Sequence, residues 1–281
     1  MLEAFAGGEH AAFLACGGRD LRPRLARALA LADIGPGMVV VDLGCGRGEA
    51  AAWAARSGAT VVALDYSLDA LALTRRTAAV VDGASPTPPA LAAADATALP
   101  LPSGCADRVL WLDVVEHLWP WQVDAALREV RRILRPGGFV VIHTLPNRWA
   151  LRWAYPWLRW IAPMLPANPR SAYERAVHVN EQSPRSLARA LAAAGFTRRV
   201  WVEEWSTVQA GRDVGAGYPD PQRAIGYPVL RRPAVRRAAA LAMRSPLRWI
   251  VGNDIFAVAR PAEARSSRRA PRKGCSRRNP A

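Results

Sequence analysis

Three glycines at alternate positions, Gly44, Gly46 and Gly48, follow the apolar run Met38 to Leu43, with Asp42 just before them and Glu49 just after. A strand that runs into glycines at this spacing makes a tight turn, and its backbone can approach a ligand where a Cβ would clash. Cys45 shares that loop. By itself such a turn serves a dinucleotide, a nucleotide sugar or no ligand at all. Charge narrows the choice. A pyrophosphate needs the positive N-terminus of the following helix, and Glu49 stands where that end falls. The two acids suit a ligand that brings positive charge and no phosphate. Further chemistry-bearing residues follow downstream: Asp65-Tyr66, Asp95-Ala96, Leu112 with Asp113, Glu116 and His117, and then His143 and His178. A histidine can take a proton near neutral pH, so His117, His143 and His178 are the candidate bases, with His10 the remaining one.

These residues need a frame, and the hydrophobic pattern supplies one. A helix over Leu21 to Ala32 is stopped by Gly35-Pro36-Gly37, and Met38 to Leu43 is a buried strand. A helix from about Glu49 to Arg56 precedes a second buried strand, Thr60 to Leu64, which ends at Asp65. Ser67 caps a third helix that runs out near Asp82 to Pro89. Strands at Leu91 to Ala94 and Arg108 to Leu112 lead to a helix over Val123 to Leu134; Arg135-Pro136-Gly137-Gly138 then turns the chain into a strand at Phe139 to His143. Ser183, Pro184 and Gly195 punctuate another helix, as N-cap, first position and stop. Strands at Arg198 to Glu203 and Asp254 to Ala259 finish the set. Strands alternating with helices at this spacing imply an α/β fold: a Rossmann-like, seven-stranded, mostly parallel sheet with helices on both faces. Residues 148–177 and 205–252 fall outside the alternation, after strand ends where a ligand crevice opens, and are expected to be helical lid insertions.

Taken in order, the motifs resemble those of the class I S-adenosylmethionine (SAM) dependent methyltransferases, and among them the small-molecule and lipid-type ubiquinone/menaquinone-pathway group. The resemblance covers Leu21 to Asn147 and resumes from Ser183 to Phe196. It implies SAM as cofactor, which carries an ammonium and a sulfonium but no phosphate. It implies that Asp42, Gly44, Cys45, Gly46 and Gly48 grip the cofactor. Asp65, with Tyr66 beside it, receives the ribose hydroxyls; Asp95 receives the adenine amino group and the Ala96 amide meets the ring; Leu112 lies along the methionine portion. The stretch Asp113-Val114-Val115-Glu116-His117 also resembles the Glu-x-x-Glu-His segment of the ubiquinone-pathway O-methyltransferases, associated there with a divalent cation. Asp113 shortens the first ligand arm here, and no metal is expected. His117, beside the expected methyl position, and His178 are the candidate catalytic bases for O-methylation.

The rest of the composition bears on partners. The 281 residues fit one domain over 1–260, and 51% hydrophobic with 22% charged residues is ordinary for a folded protein. Of the net charge of +15, the segment 261–281 contributes seven basic residues against Glu263; rich in Pro, Ser and Arg, it is expected to be a disordered basic tail. Four widely spaced cysteines suggest neither a disulfide framework nor a metal site, so a reducing cytoplasm is expected, with no secretory signal at Met-Leu-Glu-Ala. The apolar window Trp149 to Pro166 is interrupted by Arg152, Pro156, Arg159 and Pro163 and does not read as a membrane span. Wound as a helix, it gathers Trp149, Trp153, Trp157 and Trp160 on one flank and Arg148, Arg152 and Arg159 on another, with Pro156 kinking or splitting it. That pattern suits an interfacial helix at the inner face of a membrane, or a lid over a greasy acceptor. A small-molecule or lipid-like acceptor is therefore expected, with membrane contact peripheral. Basic charge also suits nucleic acid, but no Asn/Asp-Pro-Pro-Tyr/Phe motif is present and Thr144-Leu145-Pro146-Asn147 is a distant echo of it. A SAM-binding protein without turnover is the non-enzymatic alternative. The sequence fixes no oligomeric state.

Overall fold

β1 (Val39–Leu43) is apolar toward both faces, and Val40, Val41 and Leu43 are all buried, which places it inside a sheet rather than at an edge. This computed structural model describes residues 10–11, 13–19, 21–81, 87–161, 163, 165–170, 172–203 and 233–262. Within them, α1 (Pro23–Ala32) precedes β1, and α2 (Glu49–Arg56), β2 (Thr60–Asp65), α3 (Leu68–Val81) and β3 (Ala90–Ala93) follow it. Next come β4 (Ala106–Leu112), α4 (Pro120–Ile133), β5 (Leu134–Thr144), α5 (Tyr155–Ile161) and α6 (Ala172–Val177). The described chain ends with α7 (Pro184–Ala193), β6 (Phe196–Glu203), α8 (Pro233–Met243), α9 (Arg248–Val251) and β7 (Asp254–Pro261). The expected tail over 261–281 and most of the expected insertion at 205–252 lie outside the described residues, which stop at 262 and omit 204–232.

The seven strands lie in the order β3-β2-β1-β4-β5-β7-β6. β1 pairs in parallel with β2 and β4, β2 with β3, and β4 with β5, whereas β7 runs antiparallel between β5 and β6. Alternate residues of the central strands feed two cores. Val41, Val109 and Trp111 pack with Leu127, Val130 and Leu187 of α4 and α7, and Val40 and Leu110 pack with Leu25, Ala28, Ala51 and Ala54 of α1 and α2. From β1 the chain moves outward through β2 and β3, then returns to lay β4 on the other side of β1. The strand order reverses between β1 and β4, and a crevice opens beyond their carboxyl ends.

Most boundaries shift by one or two residues from the sequence expectation, and two shift further, each for a local reason. α4 begins three residues earlier than expected, because Pro120 suits a first helical position and Gln122 Oε1 accepts from the Trp119 amide. β5 begins at Leu134, ahead of the turn: Leu134 pairs with Ala106 and Phe139 with Arg108, so Arg135 to Gly138 bulge out opposite the single residue Asp107. After β5, the Trp-rich segment winds as a π-helical turn (Ala150–Ala154) that runs into α5, with Pro156, which has no N–H to donate back to that turn, at the second position of α5.

Ser183 caps α7 as its punctuation implies, its Oγ accepting from the Ser186 amide at 3.1 Å in a buried setting. Ser183→Ala is expected to cost about 1 kcal/mol of stability, read as a lower midpoint in chemical denaturation with an unchanged slope.

Candidate active site

The chain leaves β1 through Gly44-Cys45-Gly46-Arg47-Gly48, and its backbone is tied back to β2: the amides of Gly44 and Cys45 both donate to the Leu64 carbonyl, at 2.7 and 3.0 Å. Gly44 and Gly48 both have a φ of 77°, and a Cβ on Gly48 would stand 2.7 Å from the Thr74 Cα, so that position admits no side chain. Gly46 is different. Its φ is also positive, but a Cβ there would meet nothing within 4 Å, so the loop has an open side. Cys45 is buried with its Sγ 3.3 Å from Thr74 Oγ1, and burial pushes its thiol well above the usual range, which makes it a packing group rather than a nucleophile.

A cavity of about 80 Å³ opens beside this loop, lined by Arg22, Asp42, Gly44, Cys45, Arg47, Gly48 and Glu49 on one side and by Leu112 and Asp113 at the end of β4 on the other. Asp42 is 2% exposed, and its Oδ2 has no hydrogen-bond partner among the described residues. The Ala51 amide serves its carboxyl group. Burial, reinforced by the nearby Asp65, raises the Asp42 carboxyl to about 7. A buried carboxyl oxygen facing a cavity suits a donor, and a cationic donor would favour its ionised form. Glu49 plays no such part. Its carboxylate is held by Arg22 at 2.6 Å and Arg47 at 3.4 Å, and these arginines overcome the effect of burial and keep it ionised. Glu49 is thus already neutralised and does not by itself oppose a phosphate, so the selectivity expected of the acidic pair falls to Asp42.

Asp65 closes the loop from β2: its Oδ2 accepts from the Gly46 amide at 3.0 Å and its Oδ1 from the Ser67 amide at 2.9 Å. Each carboxylate oxygen accepts more than one hydrogen bond, so both can still meet a ligand hydroxyl. Tyr66 is 86% exposed beside it. Asp95 spends Oδ1 on Thr97, through both the amide and the hydroxyl at 2.8 Å. Asp65, Tyr66, Asp95 and Ala96 follow the carboxyl ends of β2 and β3, on the side of the sheet where the cavity opens, but outside its enclosed part.

His117 and His178, 61 positions apart in sequence, meet at the far end of β4 with ring centroids 4.8 Å apart, edge to face. Neither lines the enclosed cavity. His117 Nδ1 lies 3.2 Å from the Val177 carbonyl, which only accepts, so the proton sits on Nδ1 and Nε2 carries the lone pair. Burial lowers the pKa of both rings, that of His178 to about 4 with the help of His117. Glu116 stands behind them, fully buried, accepting from Thr144 at 2.7 Å, and burial together with Asp113 raises it to about 8. The cation ligand set implied by the Asp113-x-x-Glu116-His117 resemblance does not assemble, because Asp113 is turned to His143 and Arg24. Glu116, His117 and His178 instead hold their ligand atoms within 4.8 Å of one another, an N,N,O set that a divalent ion such as Zn²⁺ accepts.

Sequence reasoning missed the arginines of this site. Arg22 and Arg24 flank the start of α1, and Arg24 Nε donates to Asp113 Oδ2 at 3.0 Å. Asn147, the distant echo of a base-methylating motif, is fully buried and spends its side-chain amide on the carbonyls of Trp249 and Gly252, so it clamps α9 rather than facing the cavity.

Comparison with known proteins bears on family and fold. Residues 41–142 match the family described as a methyltransferase domain. A demethylmenaquinone methyltransferase of Parafrankia sp. (strain EAN1pec) is 33% identical over 205 residues, which cover 65% of this chain and 78% of that protein. Methyltransferase GfsG of Streptomyces halstedii is 36% identical over 123 residues, 42% of each chain. Among solved structures, geranyl diphosphate methyltransferase in complex with SAM superposes with a TM-score of 0.53 at 19% identity, covering 92% of both chains. Phosphoethanolamine N-methyltransferase 2 of Haemonchus contortus with S-adenosyl-L-methionine gives 0.60 at 17% identity, covering 94% of this chain and 60% of that one. These two likenesses are of fold.

The Asp42 oxygen without a partner among the described residues carries a pH prediction for a cationic ligand bound there. With its carboxyl near 7 in the empty protein, Asp42 must shed a proton before a cation can bind below that pH. Affinity for S-adenosylhomocysteine is expected to fall by up to about tenfold per unit as pH drops below 7, and calorimetry should find this slope absent in Asp42→Asn. The stability of the empty protein carries the opposite sign: a folded-state carboxyl raised above its unfolded value makes stability decline as pH rises from about 4 toward 7.

Proposed function

The chain belongs to the class I SAM-dependent methyltransferases, and from that premise we propose that it transfers the methyl group to an oxygen of a hydrophobic, lipid-like small molecule at a membrane surface. The enclosed cavity takes the amino-acid end of the cofactor, its ammonium on Asp42 and its backbone contacts along Gly44, Cys45, Gly46 and Gly48. Leu112 lies along the methionine chain. The ribose hydroxyls meet Asp65, whose oxygens keep lone pairs beyond the two loop amides, and the adenine lies by Asp95 and Ala96 with Tyr66 over the nucleoside. The lining supports this division, since Asp42, the glycine loop and Leu112 line the cavity while Asp65, Tyr66, Asp95 and Ala96 lie outside it.

SAM, when bound, supplies a methyl on a positively charged sulfur, already a good electrophile. What remains for the protein is to align the acceptor, exclude water and remove a proton. His117 suits the last task. The Val177 carbonyl fixes its tautomer with the Nε2 lone pair available, and burial keeps the ring neutral at physiological pH. His178, packed edge-on against that ring, holds it in place, and the two form the catalytic pair of this reading. Glu116, raised to about 8, is protonated at neutral pH and gives His117 no anionic partner that would hold it charged.

The acceptor class rests on one observation. Trp153, Trp157 and Trp160 are 52%, 69% and 78% exposed on the segment after β5, with Arg152 over the Trp153 ring at 5.3 Å and Arg159 on the same turn as Trp160. Leaving three indoles in water forfeits a large apolar burial, and arginines beside indoles fit an anionic headgroup layer. Among the described residues no helix is long and apolar enough to cross a membrane, so the contact proposed is peripheral. The name of the Parafrankia relative, demethylmenaquinone methyltransferase, agrees with a lipid-like acceptor.

Incubating the protein with labelled SAM and a lipid extract should label a species that partitions into organic solvent; label confined to water-soluble or nucleic-acid fractions would overturn the reading. His117→Ala is expected to lower kcat by about a hundredfold or more with S-adenosylhomocysteine affinity unchanged, and the wild-type rate should decline at acid pH with an apparent pKa below that of a free histidine. In sedimentation with vesicles, the intact chain should bind phosphatidylglycerol-containing membranes better than neutral ones, and Trp153→Ser with Trp157→Ser should abolish the difference.

A further inference from the structure

His143 closes β5 with its side chain fully buried and its ring 4.6 Å from Phe256. Both ring nitrogens face carboxylates: Nδ1 meets Oδ1 of Asp113, and Nε2 lies 3.1 Å from Oδ1 of Asp254. Ionised carboxylates only accept, so this arrangement asks for a hydrogen on each nitrogen, which is the imidazolium. The charged and titratable groups around it come from every neighbouring element: Asp113 from the end of β4, Glu116 from the turn after it, Asp254 from β7, and Arg22 and Arg24 from the start of α1. Burial alone would strip the proton from His143, but Asp113 and Asp254 outweigh it and lift the ring to about 9.

The link to the cofactor site runs through Asp113. That residue lines the enclosed cavity, has a φ of 58°, which is uncommon for a residue with a side chain, and donates its amide to the His143 carbonyl at 3.0 Å. Its two carboxylate oxygens are taken by His143 and Arg24. His143 therefore holds Asp113 by main chain and side chain together. We propose that His143 is a positioning residue of the cofactor site: a buried cation, shared by Asp113 and Asp254, that fixes the Asp113 wall against the amino-acid end of the cofactor. With Asp113 fully occupied, Asp42 is left as the acceptor for the ligand's ammonium. The inference rests on the assignment of this cavity to the amino-acid end of SAM.

Two ligands separate positioning from general support of the fold: S-adenosylhomocysteine carries the amino-acid end, and 5′-methylthioadenosine lacks it. In calorimetry His143→Gln is expected to weaken the first by about tenfold or more and the second by no more than about twofold. Asp254→Asn, which alters the far side of the ring and leaves the cavity lining intact, should give the same selective loss and carries the test if His143→Gln does not fold. In nitrogen-resolved NMR of the full chain, His143 should show both nitrogens protonated at pH 7.5, and its titration should move to lower pH in Asp254→Asn. Equal weakening of both ligands, unchanged affinity for S-adenosylhomocysteine in a folded variant, or a neutral His143 at pH 7.5 would each overturn the proposal. If the wild-type protein binds the two ligands equally well, the assignment of the cavity is wrong, and the proposal falls with it.

Discussion

A carboxylate at the end of a buried strand, with one oxygen unfilled, is the constraint from which the rest of the site follows. Asp42 lies at the carboxyl end of β1, buried in the wall of the cavity. Such a group is tolerated when something outside the protein completes it. The strand order places it there: the chain leaves β1 toward β2 and comes back at β4, so two strands end side by side with no connection crossing between them. The glycine loop and the Leu112-Asp113 end of β4 form the two walls of the gap, and the start of α1 closes it from one side with Arg22 and Leu25.

The electrostatics around Asp42 read as a system in which every other charge has been settled. Glu49 is matched by Arg22 and Arg47, and Asp113 by Arg24 and His143, while His143 is shared in turn with Asp254. Buried ion pairs contribute little net stability after desolvation, and removing one partner is costly because a charge is left behind. What they gain here is selectivity of address. A zwitterionic cation entering this cavity finds one carboxylate oxygen that is not already engaged, so its orientation follows from the charge pattern before any shape recognition of the nucleoside.

The elements were legible in the sequence because their signals are local. An apolar run between Gly37 and Gly44 marks β1, a run after Gly58 that ends at Asp65 marks β2, and Ser183, Pro184 and Gly195 mark the ends of α7. The loop glycines and Asp42 were legible for the same reason. The ion pairs were not: Arg22 reaches Glu49 across 27 positions, Arg24 reaches Asp113 across 89, and His143 reaches Asp254 across 111. Glu49 read alone looks like a negative helix end, and its neutralisation is visible once α1 is folded against the loop. The meeting of His117 and His178 depends in the same way on where the segment before α7 lands. The four tryptophans after β5 read as a single flank, but Trp149 is partly buried at the start of the π-helical turn while the other three face outward, and the wider winding of that turn lies between Trp149 and the rest.

The antiparallel placement of β7 also bears on how the molecule is made. β7 follows every other described strand in sequence, yet it lies between β5 and β6, and β6 has no other strand beside it. A chain growing from its N-terminus on the ribosome therefore exposes β6 as an unpaired ribbon, and its sheet stops at β5 until residues 254–261 have emerged. Asp254 arrives with that strand, and with it the second carboxylate on His143. The parallel half of the sheet and the glycine loop can form during synthesis, whereas the full charge balance behind the cofactor cavity waits for the strand that is threaded in last.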